Sequence, residues 1–182
     1  MEREPVSETI TGPLRGVRIL EFSQIIAGPV AGIYLSDFGA DVIKVEPLED
    51  ESRRNSAAVV PNEGKYFQSL NRGKRSLALN LKSEAGLNII RRLLPSIDVV
   101  LINYRNGVAE RLGIDYLSLR KIRPDIIYAS ITGFGNSGPH MTKGGSDIVA
   151  QAYSGVMASE GKMDEDGAPL PVQVTPIIDK TS

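Results

Sequence analysis

Polar side chains able to bind an anion recur in this chain just past short apolar runs. Asn80 and Lys82 follow RSLAL, and Asn103, Tyr104 and Arg105 follow DVVLI, with Arg111 a little further on. Lysine supplies point charge, arginine forks onto phosphate oxygens, and a tyrosine ring offers a flat face to a base or an alkyl arm. In a parallel sheet such strand ends share one edge, so these residues can meet around a single anionic ligand. Taken singly, each is more often a solvated loop start. Two aspartates also carry competing readings. Asp147, in GGSDIVAQ, either caps a helix, a job that Ser146 does equally well, or lines a site as an acid or orienting group. Asp179, behind TPII, sits where a helix begins and competes as an N-cap. His140 lies in a loop between proline and methionine, where a surface histidine is expected.

Other chemistry is excluded or disfavoured. The chain has no G-x-G-x-x-G, Walker, G-x-S-x-G or H-E-x-x-H motif. The turn SQIIAGP lacks the glycine spacing that brings a pyrophosphate close to the backbone, which disfavours a nicotinamide site. There is no cysteine, so disulfides, thiolate catalysis and thiolate metal sites fall away. One histidine cannot build an all-histidine metal centre. With 21 basic and 22 acidic residues the formal net charge is −1, leaving no basic excess for a nucleic-acid backbone. The polar start MEREPVSET and the absence of any apolar run near the ~20 residues of a bilayer span lead to the expectation of a cytoplasmic protein without a membrane partner.

The elements that must position these residues read as alternating strands and helices. Residues 1–12 are a flexible leader. A strand over 17–22 (VRILEF) leads through SQIIAGP, with Pro29 at the first helical position, into a helix over 30–38. Val30, Ile33, Tyr34 and Phe38 fall on one side of it. A second strand, 41–46, completes a βαβ unit. Residues 47–73 read as a long irregular loop. Then come a strand over 75–81, a helix capped by Ser83 and stopped by Pro95, a buried strand over 98–103, a short helix over 117–122 and a strand over 125–131. This alternation predicts an α/β domain with an open, doubly wound (Rossmann-like), mostly parallel sheet, and ligands beyond the strands' carboxyl ends. After Ile131 the character changes to a glycine-rich loop, a helix from Asp147 to about Tyr153, and a hairpin-like segment over 160–174. The chain stops as a further helix begins, which suggests part of a larger domain.

PLRGVRILEFSQIIAGP, LSDFGADVIKVEP, NRGKRSLALNLKSEAG, INYRNGVAERLGIDYLSL, PDIIYASITGFGNSGP and GGSDIVAQAYSG stand in this order along residues 13–182. With these markers the chain resembles the class III CoA-transferases, the group of formyl-CoA transferase and its carnitine-CoA transferase relatives. The resemblance implies that residues 13–182 are the N-terminal, CoA-binding part of a large domain whose remainder, with a smaller second domain, follows in the family. It implies a homodimer of interlocked full-length chains. Asp179 would be the nucleophile. CoA contacts would fall on Ile26 and Ala27, on Leu79, Asn80, Leu81 and Lys82, on Asn103, Tyr104 and Arg105, on Arg111, and on Lys143 and Asp147. It implies a reaction without cofactor or metal, in which coenzyme A enters as a thioester substrate and a free carboxylic acid accepts it. A rival is an acyl-CoA racemase, which shares the fold and uses a histidine where this chain has Ser146, a residue unable to act as a base near neutral pH. A non-catalytic fragment with residual CoA affinity is the alternative of another class.

Overall fold

The structure is a computed structural model and describes residues 11–48, 54 and 64–172. The chain divides into two compact units, residues 1–131 and 132–182, parting where the sequence changes character after Ile131. In the first unit the order is β1 (Arg18–Phe22), α1 (Ala27–Asp37), β2 (Asp41–Glu46), α2 (Lys65–Asn71), β3 (Arg75–Ala78), α3 (Glu84–Leu93), β4 (Val99–Ile102), α4 (Val108–Leu112), α5 (Tyr116–Leu119) and β5 (Ile127–Ser130). All strand pairs are parallel, in the spatial order β3-β2-β1-β4-β5. This is the doubly wound sheet that the alternation of elements predicts.

The apolar runs become strands because both faces of the sheet are covered. Leu20, Phe22, Ile43, Val45, Val100 and Ile102 join Ile90, Leu94, Ile114 and Leu119 in the larger core. Alternate residues Ile19, Val42 and Leu101 form a smaller one, against which Ala31 and Leu35 of α1 pack. Beside that smaller core the burial turns ionic. Glu21 and Lys44 are 0% and 1% exposed and directly opposite in the β1–β2 register, 3.6 Å apart. A second ammonium, that of Lys74, lies 2.9 Å from the Glu21 carboxylate, and the Ser23 hydroxyl donates to the same carboxylate. A lone charge there would be prohibitively unfavourable; the partners make it tolerable.

Helix α1 fits over this cluster only because it is shaved bare. A Cβ built on Gly32 would stand 1.9 Å from Glu21 Oε2. The buried side is therefore Gly28, Pro29, Gly32 and Ile33, whereas Tyr34 and Phe38, on the apolar side that the spacing shows, are more than half exposed. The helix also begins at Ala27, ahead of Pro29.

Two further expectations are corrected. The loop read over 47–73 contains α2, whose Phe67 and Leu70 are buried. Leu70 packs with Ile26 and Ile33. Phe67 lies under the Arg54 guanidinium, which forks onto Glu46 at 2.6 and 2.7 Å. Burial opposes ionisation of Glu46, but hydrogen bonds from Arg54 and Ser76 and the charges of Arg54 and Lys44 hold its carboxyl below the ordinary value. Strand β3 stops at Ala78 rather than 81, because Asn80 Oδ1 accepts from the Lys82 N–H at 3.0 Å and turns the chain.

The second unit contains α6 (Asp147–Ser154) and α7 (Val156–Ser159). It also carries the expected hairpin, marked by an antiparallel bridge between Met163 and Pro169 and closed around Asp164 Oδ1, which accepts from the Asp166 and Ala168 N–H groups at 3.0 and 2.7 Å.

Glu21→Gln leaves two buried ammoniums facing a neutral amide and should cost about 3–5 kcal/mol. Gly32→Ala, which drives a methyl into the same carboxylate, should be destabilising as well. Urea denaturation of both variants measures this; a loss under about 1 kcal/mol for Glu21→Gln would mean that the cluster does not hold the sheet together.

Candidate functional site

The winding of the sheet reverses at β1: β2 and β3 lie to one side of it, β4 and β5 to the other. Loops leaving the carboxyl ends of strands diverge at such a reversal and open a crevice between them. Here the two loops follow β1 and β4, whose last residues, Phe22 and Ile102, are register partners.

The loop after β1 is gripped at successive points. Lys44 Nζ donates to the Ser23 carbonyl at 2.8 Å. The Asn103 carboxamide meets Gln24 twice: its Oδ1 accepts from the Gln24 N–H at 2.9 Å and its Nδ2 donates to the Gln24 carbonyl at 2.8 Å. Lys74 Nζ donates to the Pro29 carbonyl at 2.8 Å. Between the grips stands Ile25 at φ 67°, alone among the described non-glycine residues in having a positive φ. The left-handed region costs a β-branched residue about 1–2 kcal/mol.

The residues expected to bind sort into groups. Ile26 is buried, so its side chain belongs to the core; Ala27, half-buried, opens α1. Leu79 is buried with its N–H on the Glu46 carbonyl at 2.8 Å, and Leu81 packs against the main core. Asn80 and Lys82 are exposed beyond β3. Tyr104 is half-buried against the core, and burial raises the pKa of its phenol. Arg105 and Arg111 are exposed, the latter in the last turn of α4. The fold thus sets residues 24–27 and 103–105 at adjacent strand ends, with 79–82 beyond β3 on the same edge of the sheet.

Lys143 and Asp147 belong to the second unit. Ser146 caps α6, its hydroxyl accepting from the Val149 N–H at 3.4 Å, so the position a racemase would give to a base serves the helix. Asp147 accepts instead from the amide of Gln151. Gln151 is fully buried and clasps Val172, whose N–H donates to Oε1 at 2.9 Å and whose carbonyl accepts from Nε2 at 3.3 Å. The exposed Lys143 places its ammonium 3.3 Å from the Tyr153 hydroxyl. Tyr153, Phe134 and His140 form an edge-to-face trio with centroids 5.1–5.8 Å apart, so His140 is half-buried among rings rather than loose on the surface. Asp179 lies outside the described residues.

Glu21, Lys44, Gln24 and Gln151 escaped the sequence reading. A charge in the middle of VRILEF and another in DVIKVE were the available signal for the first two. Nothing in spacing marks the others: Gln24 is held through its main chain by the distant Asn103, and Gln151 reaches the main chain of the distant Val172.

Residues 14–181 match the model of CoA-transferase family III. The chain is 41% identical over 166 residues to the succinate–glutarate CoA-transferase of Agrobacterium fabrum, covering 87% of this chain and 41% of that one. It is 43% identical over 160 residues to the succinyl-CoA:glutarate CoA-transferase of Mus musculus, covering 87% and 36%. A crystal structure of Rv3272 from Mycobacterium tuberculosis superposes with a TM-score of 0.82 at 37% identity, covering 94% of this chain and 47% of that one. A CAIB/BAIF family protein from Brucella suis gives 0.81 at 38%, covering 93% and 45%. The chain therefore spans less than half the length of these relatives.

Gln151→Leu keeps the volume and removes the clasp on Val172, leaving that N–H and carbonyl without their buried partner. Amide exchange at Val172 should accelerate at least tenfold, of the order expected for a lost hydrogen bond. Unchanged protection would show that the clasp is dispensable.

Proposed function

Because the chain belongs to CoA-transferase family III, we propose that it supplies the coenzyme A edge and the nucleophile of an enzyme moving CoA from an acyl-CoA to a free carboxylic acid. The observation that carries this reading is the family match along residues 14–181, which includes both the cationic strand-end residues and Asp179. Around the reversal of winding, Arg105 and Arg111 are exposed and available for phosphate oxygens, with Lys82 further along the same edge. Tyr104, whose phenol burial pushes above its ordinary pKa, offers a ring and a hydroxyl rather than a charge.

In the proposed reaction the Asp179 carboxylate attacks the thioester carbonyl. A C–O bond forms, the C–S bond breaks, and CoA leaves as its thiolate, giving a mixed anhydride. The thiolate then attacks the aspartyl carbonyl, forming an aspartyl thioester and releasing the donor acid. The acceptor carboxylate repeats the two steps in reverse order and restores Asp179. Carboxylate and thiol differ by roughly 4–5 pKa units, so the anhydride lies on the order of 6 kcal/mol uphill on a leaving-group comparison. Such an intermediate requires held partners and excluded water.

Mass spectrometry of the full chain after exposure to an acyl-CoA should find a covalent adduct on the peptide bearing Asp179. Asp179→Asn should abolish both adduct and turnover, since an amide of equal shape cannot form the anhydride. Near-normal turnover without slow deamidation would refute the assignment.

Alanine at Lys82, Arg105 or Arg111 should each weaken CoA about ten- to a hundredfold, as charge-assisted hydrogen bonds to phosphate are lost. Calorimetry measures this, and unchanged affinity in all three variants would sink the proposed edge.

A further inference from the structure

Asn103 has work to do before any ligand arrives. Its carboxamide meets both main-chain polar atoms of Gln24, and the next residue is Ile25 in the left-handed region. A β-branched residue persists there only where its surroundings over-determine it. The Ile25 side chain is 47% exposed, so its own burial holds the turn weakly. The peptide planes on its N-terminal side are held instead: Lys44 fixes the Ser23 carbonyl, and Asn103 fixes Gln24 at both ends. The carboxamide comes this near because residue 28 is glycine, where a Cβ would stand 3.0 Å from Asn103 Cγ.

We propose that Asn103 is a positioning residue, which by clasping Gln24 holds Ile25 in its left-handed conformation and presets the turn through Ala27 to receive coenzyme A. The proposal rests on the reading of this edge as the CoA site. Glycine adopts the left-handed region about as readily as the right-handed one. At position 25 it needs no clasp to stay there. An Asn103 that acted by touching the ligand would instead be missed equally whatever residue stood at position 25.

The test is a double-mutant cycle in the full chain with Asn103→Ala, Ile25→Gly and both together, read by calorimetry with free CoA and by amide exchange at Gln24 without ligand. Asn103→Ala should weaken CoA about tenfold when residue 25 is isoleucine. It should do so by less than about threefold when residue 25 is already glycine. Without ligand, Asn103→Ala should accelerate Gln24 exchange about tenfold or more. Should Asn103→Ala fail to fold, Asn103→Asp keeps the bond from the Gln24 N–H and loses the one to its carbonyl, and the same cycle is read with it. Equal loss of affinity in both backgrounds, or unchanged Gln24 exchange, overturns the proposal. A wild-type chain that binds no CoA overturns the functional reading, while the exchange measurement still decides the clasp.

Discussion

A carboxylate with essentially no solvent exposure, set on the middle strand of the sheet, constrains almost everything around it. Glu21 requires cations within reach, and it has them from β2 and from the segment between α2 and β3. Those ammoniums carry more donors than one carboxylate uses, and others reach the main-chain carbonyls of Ser23 and Pro29 and the Asn71 side chain. The result is that charge neutralisation in the core and placement of the β1–α1 turn are one event. An apolar trio of similar volume would satisfy the sheet as well or better, but it would have nothing to offer those carbonyls.

A second device recurs in both units. A side-chain amide pairs with the N–H and carbonyl of a single distant residue, as a neighbouring strand would: Asn103 with Gln24, Gln151 with Val172. Each ties a segment without regular secondary structure to a regular element or its end. Carboxylates could accept from the N–H groups but would repel the carbonyls, so the amide is the side chain that suits both.

Much of the architecture was legible in the sequence. The strands and a mostly parallel, doubly wound sheet followed from apolar runs alternating with helical spacing, because burial on both faces leaves a clear imprint in composition, whereas the strand order and the reversal at β1 came from the structure. The helix over 65–71 was not legible, since its two buried residues, Phe67 and Leu70, make a signal too short to separate from a loop. The inward face of α1 was not legible for a related reason: a surface that approaches a charged cluster must be bare, and glycine contributes nothing to an apolar pattern. For the candidate edge, the residue types and the strands that present them were readable, but their division of labour was not. Ile26, Leu79 and Leu81 turn toward the core, and Asn103 is engaged with the backbone, because such roles depend on contacts tens of residues apart.

That separation bears on how the protein is made. The middle strand precedes the other four in the chain, yet its partner on one side, β4, begins at Val99, and the Arg18 N–H waits for the carboxylate of Asp98. Glu21 likewise waits for Lys74. A stretch of this chain that ends before Asp98 lacks the partners that β1 needs for its final arrangement. The nascent chain must keep apolar strands and an unneutralised acid out of contact until the whole set has appeared, a period in which chaperone capture competes with productive collapse.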